Sequence, residues 1–177
     1  MTPTHLQLQP FPTTPHPPLT LSALLDRSPS SINLTFTLTG PLDAILLPPL
    51  SATPARRDNL WQSTCLEAFI GPAGHPGYLE LNVAPSGDWN LYRFSSYREG
   101  MSPVSDAHIE IREHHRTPDA CTLSIGITLP PDFTSAPLEI NLTAVIEDTA
   151  GRRSFWALSH GGERPDFHRR ADFVARL

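Results

Sequence analysis

The sequence contains no lysine, so all thirteen of its basic residues are arginines. These arginines are scattered along the chain, and the formal net charge is −5. A nucleic-acid-binding surface needs a basic stripe or patch, which this distribution does not supply. We therefore expect no nucleic-acid partner, and we attribute the missing lysine to a GC-rich coding sequence rather than to function.

Long apolar stretches are also absent. No window approaches the ~18 consecutive apolar residues that a membrane helix requires, so we expect no membrane insertion. Residues 1–20 hold only short apolar pieces broken by prolines, with neither the basic start nor the apolar core of a secretory signal. We therefore expect a cytoplasmic protein of a bacterium-like cell.

Cysteines and metal-binding patterns are sparse. The two cysteines, Cys65 and Cys121, fall within predicted strands, and without an export signal we expect two reduced, buried thiols and no disulfide. No His-x-His or Cys-x-x-Cys pair occurs, and the adjacent His114 and His115 would point to opposite faces of a strand. No Asp/Asn-rich loop has the spacing of calcium ligands. We predict no metal ion and no other cofactor.

Proline and alternating patterns dominate what is present. Twenty prolines stand mostly in clusters between apolar runs, as in proteins made of short strands and irregular loops. Residues 31–39, 123–129 and 138–147 alternate apolar with polar side chains, which is typical of half-buried strands. Because short turns join these strands, the helical crossovers of a parallel sheet are excluded. We predict an all-β fold, an antiparallel β-sandwich (immunoglobulin/jelly-roll-like) with few or no helices.

The chain divides into two parts in this prediction. Its 177 residues suffice for one domain with a full core. Residues 1–30 are expected to form a Pro-rich N-terminal arm that can add an edge strand near residues 4–11 and one or two helical turns from Leu19 to Asp26. Residues 31–177 are expected to form the sandwich.

The stretch from Arg57 to Ile70 combines a tryptophan and an acid at an even spacing. Trp61 and Glu67 would lie on one side of a strand, but roughly 20 Å apart if that strand were straight. That separation is too large for one small ligand. Either the strand bends between them, or Trp61 sits on a loop above the strand. The second arrangement suits a binding site.

The order of several pieces resembles a known family. Leu60-Trp61, then Glu67 before Phe69-Ile70, and then the segment from Tyr78 to Pro85 followed by Gly87 and Trp89 are similar to family 9 carbohydrate-binding modules and the wider DOMON-like group. The similarity covers about residues 30–177. It implies a sandwich that holds a sugar between two indole rings, which here would be Trp61 and Trp156.

Further ligand-binding candidates follow from their positions. Glu67 would accept hydrogen bonds from sugar hydroxyls, and Asn82, Arg98 and His160 are additional candidates. His160 is four residues after Trp156, so both would share one strand face. The structural alternatives are also open, because a tryptophan in a β-sandwich is more often part of the core, and Glu67 would equally suit a buried ion pair with an arginine.

Two other segments are expected to have structural roles. Trp89 follows a turn and alternates with Leu91, which favours packing in the core or the hairpin. The segment Pro165-Asp166-Phe167-His168 resembles one that recurs in DOMON-like proteins, and its physical role is a proline-fixed turn. Phe167 and Phe173 would then attach the C-terminal tail to the core.

Three rival functions compete with saccharide binding. Some DOMON relatives hold haem between a Met and a His, for which Met101 and His160 are the available pair. A hydrolase would need two carboxylates, for instance Glu67 and Glu147. A ligand-free sandwich could instead bind another protein. Our interpretation is a non-catalytic module, monomeric or weakly associating, whose partner is a small saccharide or a sugar-derived metabolite.

Overall fold

The computed structural model describes residues 3–177, which form twelve strands and four single-turn 3-10 helices. The helices are Leu42–Ala44, Leu60–Gln62, Pro131–Phe133 and Arg170–Asp172. The strands are β1 Thr4–Pro10, β2 Thr20–Ser28, β3 Ser31–Thr39, β4 Cys65–Pro72, β5 Tyr78–Val83, β6 Trp89–Phe94, β7 Ser102–Pro103, β8 Ile109–Arg116, β9 Ala120–Thr128, β10 Leu138–Glu147, β11 Arg153–Ala157 and β12 Ala175–Arg176. Among these residues no helix is long and apolar enough to cross a membrane.

The strands form two antiparallel sheets that share one strand. The first sheet has the order β1-β2-β3-β9-β8, and the second has the order β7-β6-β5-β4-β10-β11-β1, with β12 paired to β10. β1 joins them because residues 4–8 pair with β2, whereas residues 9 and 10 pair with β11. The predicted all-β antiparallel fold is confirmed.

The main core lies between the two sheets. Period-2 alternation gives each strand an inward apolar row, as in β3, where Ile32, Leu34, Phe36 and Leu38 are buried and the residues between them are partly exposed. The second sheet contributes a matching inward row that includes Leu66, Ala68 and Ile70 of β4 and Leu79, Leu81 and Val83 of β5. Cys65 and Cys121 are free and buried, as expected.

The N-terminal region differs from its prediction. The helical turns expected from Leu19 to Asp26 are wrong, because this segment belongs to β2 and pairs with both β1 and β3. Leu21 and Leu25 face the core, and Leu24 is exposed, as the alternation of a strand requires. β1 and β2 are therefore integral strands of the sandwich, and β1 lies inside the sheet rather than at an edge. Residues 1 and 2 of the predicted arm lie outside the described residues.

The outer faces of the two sheets differ. Most outward residues of β3 and β9 in the first sheet are partly or fully exposed, whereas every residue of β4 and β5 in the second sheet is buried. Three segments, residues 56–64, 95–101 and 159–173, cover the outer face of the second sheet. Their contacts enclose a second aromatic cluster, separate from the main core.

Candidate ligand-binding cleft

A cleft of about 430 Å³ opens on the outer face of the second sheet. Outward residues of β4, β5, β6, β10 and β11 form its floor, and the three covering segments form its walls. Its lining combines aromatic rings with carboxyl, guanidinium and imidazole groups. The lining residues are Trp61, Glu67, Phe69, Glu80, Phe94, Arg98, Met101, Val145, Arg153, Phe155, Pro165, Phe167 and His168.

Two buried glutamates lie in the floor of the cleft. Glu67 of β4 is opposite Asn82 of β5, and Glu80 is two residues before Asn82, so the two glutamates are diagonal neighbours on one face. Glu67 accepts a hydrogen bond from the Thr143 hydroxyl at 3.0 Å, and Glu80 accepts one from the Asn82 amide at 2.8 Å. Each carboxyl group has further acceptor capacity for a ligand, because a carboxylate can accept about four hydrogen bonds.

The electrostatics of this pair disfavour two simultaneous negative charges. Burial raises the pKa of Glu67 well above its usual range, and the neighbouring charge of Glu80 raises it further. Burial also raises the pKa of Glu80, while the hydrogen bond from Asn82 and the charge of Arg98 oppose that rise. The two carboxyl groups therefore titrate as a coupled pair that favours retaining a proton.

His168 lies beside these acids as a neutral imidazole. Burial and the charge of Arg98 lower the pKa of His168 to about 4, and Asp166 only partly offsets this effect. The Tyr78 hydroxyl accepts a hydrogen bond from the Arg98 backbone N–H at 3.1 Å and lies 2.8 Å from His168 Nδ1. When Tyr78 donates in the second contact, the proton of the neutral imidazole is on Nε2, which lies 3.8 Å from a carboxyl oxygen of Glu80. In that tautomer His168 offers the cleft a hydrogen-bond donor.

Aromatic rings form much of the wall. Phe167 bridges two of them, with ring centroids 6.3 Å from Phe69 and 6.1 Å from Phe155. Trp61 stands edge-on to Tyr92 at 5.9 Å, which holds the half-buried indole over the sheet. Such rings offer apolar faces to the C–H side of a sugar or to an organic cation.

A polar latch joins two of the covering segments at the rim. The Asp166 carboxylate accepts hydrogen bonds from the Tyr97 hydroxyl at 2.7 Å and from the Arg98 guanidinium at 2.9 Å. Burial acts to raise the pKa of Asp166, but these two bonds outweigh it and hold the pKa below its usual range. Arg98 adopts a left-handed backbone conformation, with φ at 56°. The latch connects residues 95–101 to residues 159–173 across the cleft.

Three of the predicted site residues lie at the cleft, and a fourth lies behind it. Trp61 is in the 3-10 turn that precedes β4, so it sits on a loop above the strand that carries Glu67. Both residues line the cleft, and Arg98 stands at the rim. Asn82 is fully buried and does not line the cleft, but its amide positions Glu80.

The structure does not bring Trp156 and His160 to the cleft. Trp156 is opposite Ala144 in β10, which faces the main core, and only 2% of the indole residue is exposed. Its Nε1 donates to the Ser154 hydroxyl at 3.0 Å. His160 Nε2 lies 2.8 Å from the Gln9 carbonyl oxygen, near β1. The predicted pair of facing indoles is therefore not assembled, because Trp156 is on the inward face of β11.

The residue pairs of the rival functions are not assembled either. Met101 lines the cleft but His160 does not, so the predicted haem ligands do not face each other. Glu147 also lies outside the lining, and the second acid beside Glu67 is Glu80. Within residues 3–177, no group of three or more His, Cys, Asp or Glu side chains is arranged to hold a metal ion.

Ten of the thirteen residues that line the cleft are absent from the predicted site, and Glu80, Phe155, Phe167 and His168 are four of them. Glu80 belongs to the outward row of β5, and Phe155 immediately precedes the predicted Trp156. Phe167 and His168 belong to the segment that was interpreted as a structural turn. One sequence signal could have identified Glu80. The outward residues of β5 are polar and lie next to the outward acid of β4, and acids on two adjacent buried strands indicate a polar face that is covered by other segments.

Comparisons with known proteins found solved structures whose fold is similar to that of this chain. No protein-family model matches the chain, and no curated protein sequence matches it. A solved structure from Bacteroides uniformis, described as a candidate carbohydrate-binding protein, matches with a TM-score of 0.67 and 15% identity over 96% of this chain and 84% of its own. A family 9 carbohydrate-binding module from Caldicellulosiruptor kristjanssonii matches less closely, with TM-scores of 0.48 in complex with cellotriose and 0.47 in complex with glucose. Its identities are 13% and 12%, over 84% of this chain and 70% and 71% of its own.

Proposed function

We propose that the cleft binds a small saccharide or sugar-derived metabolite without transforming it. The observation that carries this proposal is the combination, in one concave site, of aromatic rings with buried hydrogen-bonding groups. Sugars need both, because their C–H faces pack on rings while their hydroxyls require acceptors and donors. Glu67 and Glu80 would accept hydrogen bonds, and His168 Nε2–H would donate one.

Trp61 is the proposed stacking platform. It is the one tryptophan in the cleft lining, and it is half-buried, so one part of the indole remains available to a ligand. Phe155 and Phe167 would supply the apolar contacts that the sequence had assigned to Trp156. The Bacteroides protein with this fold is described as a candidate carbohydrate-binding protein, which makes saccharides the first ligand class to test.

Binding without catalysis is proposed from the placement of the two acids. Glycoside hydrolysis uses two carboxyl groups that flank the scissile bond. Glu67 and Glu80 instead lie on neighbouring strands in the floor, so both would meet the same side of a ligand. Incubation with aryl glycosides tests this part, and release of the phenol with loss of activity in Glu80→Gln would overturn it.

Calorimetric titration with a panel of mono- and disaccharides tests the binding itself. We expect saturable binding, a matching change in tryptophan fluorescence, and roughly 3- to 10-fold weaker affinity in Trp61→Ala. Trp89→Phe is the matched control, because Trp89 packs against the main core with the Arg56 guanidinium 4.7 Å from its ring centroid. No binding of any sugar by the folded protein would overturn the proposal. A cytoplasmic location remains a prediction that cell fractionation would test.

A further inference from the structure

Among the residues that the structure describes, none is a charged cationic partner in an ion pair with either floor acid. Of the ion pairs among residues 3–177, none involves Glu67, and Glu80 has only His168 within 4 Å. His168 carries no charge near neutral pH, because its pKa lies at about 4. The chain has no lysine, so it contains no side-chain ammonium that could fill this role.

The arginines that line the cleft stand at its rim. The Arg98 guanidinium is half exposed and is already bonded to Asp166 at 2.9 Å. Arg153 is exposed at the start of β11. Charges exposed to water are screened and compensate a buried acid only weakly. Arg98 opposes the raised pKa of Glu80, but no basic group lowers the pKa of Glu67.

The surroundings of Glu67 also suit a cation. Phe69, Phe155 and Phe167 line the same cleft, and Trp61 lies above it. Aromatic rings attract cations through their quadrupoles, and this attraction strengthens when the cation is partly removed from water. An ammonium group at the floor would therefore meet carboxyl oxygens from the two acids and aromatic rings from the walls.

We infer that the ligand of this cleft is an amino sugar whose unmodified amine, protonated in solution, binds at Glu67 and Glu80. This inference rests on the proposed saccharide-binding function and specifies the sugar class. A neutral sugar supplies no charge and leaves the retained proton in place, whereas an ammonium donates up to three hydrogen bonds and supplies the counter-charge that an ionised acid needs. The ammonium also favours the ionised form of Glu67, so binding displaces the proton that burial retains there.

Three matched sugars test the inference on the wild-type protein at pH 6. Glucosamine, N-acetylglucosamine and glucose share one ring and differ in a single substituent, which is an ammonium, a neutral amide or a hydroxyl. We expect glucosamine to bind at least about tenfold more tightly than the other two, as charge-assisted hydrogen bonds require. Calorimetry in two buffers of different ionisation enthalpy should show proton release with glucosamine and none with glucose.

Two variants locate the effect. Glu67→Gln keeps the shape of the side chain and removes its charge, so it should abolish the preference for glucosamine while retaining affinity for glucose. Glu147→Gln is the control, since Glu147 lies on the same face of the sheet but outside the cleft, and it should preserve the preference. If Glu67→Gln does not fold, the wild-type comparison of the three sugars still decides the question.

The outcomes separate this inference from the proposed function. Equal affinity for the three sugars would overturn the amino-sugar assignment and leave saccharide binding intact. Binding of choline, without binding of any sugar, would overturn both statements and identify the cleft as a site for a non-sugar organic cation. No binding of any of these compounds would also overturn both.

Discussion

The outer faces of the two sheets have different structures although both lie on the same sandwich. In the first sheet, outward residues such as Thr37 and Thr122 are small, polar and half-exposed. In the second sheet, the outward positions hold large rings and buried acids such as Phe69, Tyr78 and Glu80. The outer face of the first sheet, here called the open face, is in contact with water, which satisfies its polar groups. The outer face of the second sheet, here called the covered face, is shielded from water, so its polar groups need hydrogen-bond partners within the protein. The covered face is therefore where ligand-binding groups can be held in place.

Replacing a ring of the covered face should have the largest effect on stability. Phe69→Ala removes a side chain that contacts Tyr78, Phe167, His168 and Phe173 and is 1% exposed. We expect a loss of about 3–5 kcal/mol in the free energy of unfolding, measured by urea titration. Thr37→Ala on the open face should cost less than about 1 kcal/mol. Equal losses from the two substitutions would contradict the comparison.

Acid should destabilise the covered face through His168. Its folded pKa is lowered from 6.5 to about 4, so the unfolded chain binds more protons between these pH values. The free energy of unfolding contributed by His168 is fully present above about pH 6.5 and is lost as the pH falls toward 4, by about 3 kcal/mol in total. Urea titrations at several pH values would measure this slope.

The variant His168→Gln isolates this contribution. Glu67 and Glu80, whose pKa values are raised, have the opposite sign, because they lose stability as the pH rises above their unfolded values. The difference between wild type and His168→Gln removes the part of the titration of these acids that is common to both proteins, and what remains includes the interaction of His168 with Glu80 at 3.8 Å. We expect that difference to vary with pH between 6.5 and 4, and a constant difference would show that His168 does not titrate with a lowered pKa.

The contrast between the faces also explains how much could be predicted from the sequence. The strand from Ser31 to Thr39 was predicted with its correct bounds, since an open outer face leaves a clean polar and apolar alternation. The stretch from Leu19 to Asp26 was misassigned because Leu21, Leu24 and Leu25 also fit a helical period. Pairing with β1 and β3 decides its structure, and such pairing is not visible in local spacing.

The cleft was only partly predictable for a related reason. Trp61 and Glu67 could be associated from their order along the chain, whereas Phe155 and Trp156 are adjacent rings on a strand whose two faces each carry one ring. Only the register with β10, in which Val145 is opposite Phe155 and Ala144 is opposite Trp156, shows which ring faces the cleft. His168 reaches the floor from a loop, through contacts that no sequence period encodes.

Removing the Tyr78 hydroxyl should have an intermediate effect on the free energy of unfolding. Tyr78→Phe leaves His168 Nδ1 and the Arg98 backbone N–H without their shared partner, under the covering segments. We expect a loss of about 1–3 kcal/mol in the free energy of unfolding. Ser124→Ala is the matched control on the open face, where water can replace the 2.8 Å bond to Thr35 and the loss should stay below about 1 kcal/mol. Equal losses would show that covering the face adds nothing to this bond.

The smallest effect on stability should come from the latch at the rim. Asp166→Asn weakens its bond to the half-exposed Arg98, and such pairs contribute about 0–1 kcal/mol to folding. Asp132→Asn is the control, because Arg93 binds Asp132 through another partly exposed pair that lies outside the cleft. Both variants should therefore unfold at nearly the same urea concentration. Ligand dissociation, measured by stopped-flow fluorescence, should accelerate only in Asp166→Asn, because only that pair joins two segments of the cleft wall. Identical dissociation rates in both variants would show that the latch does not affect ligand dissociation and is an ordinary surface ion pair.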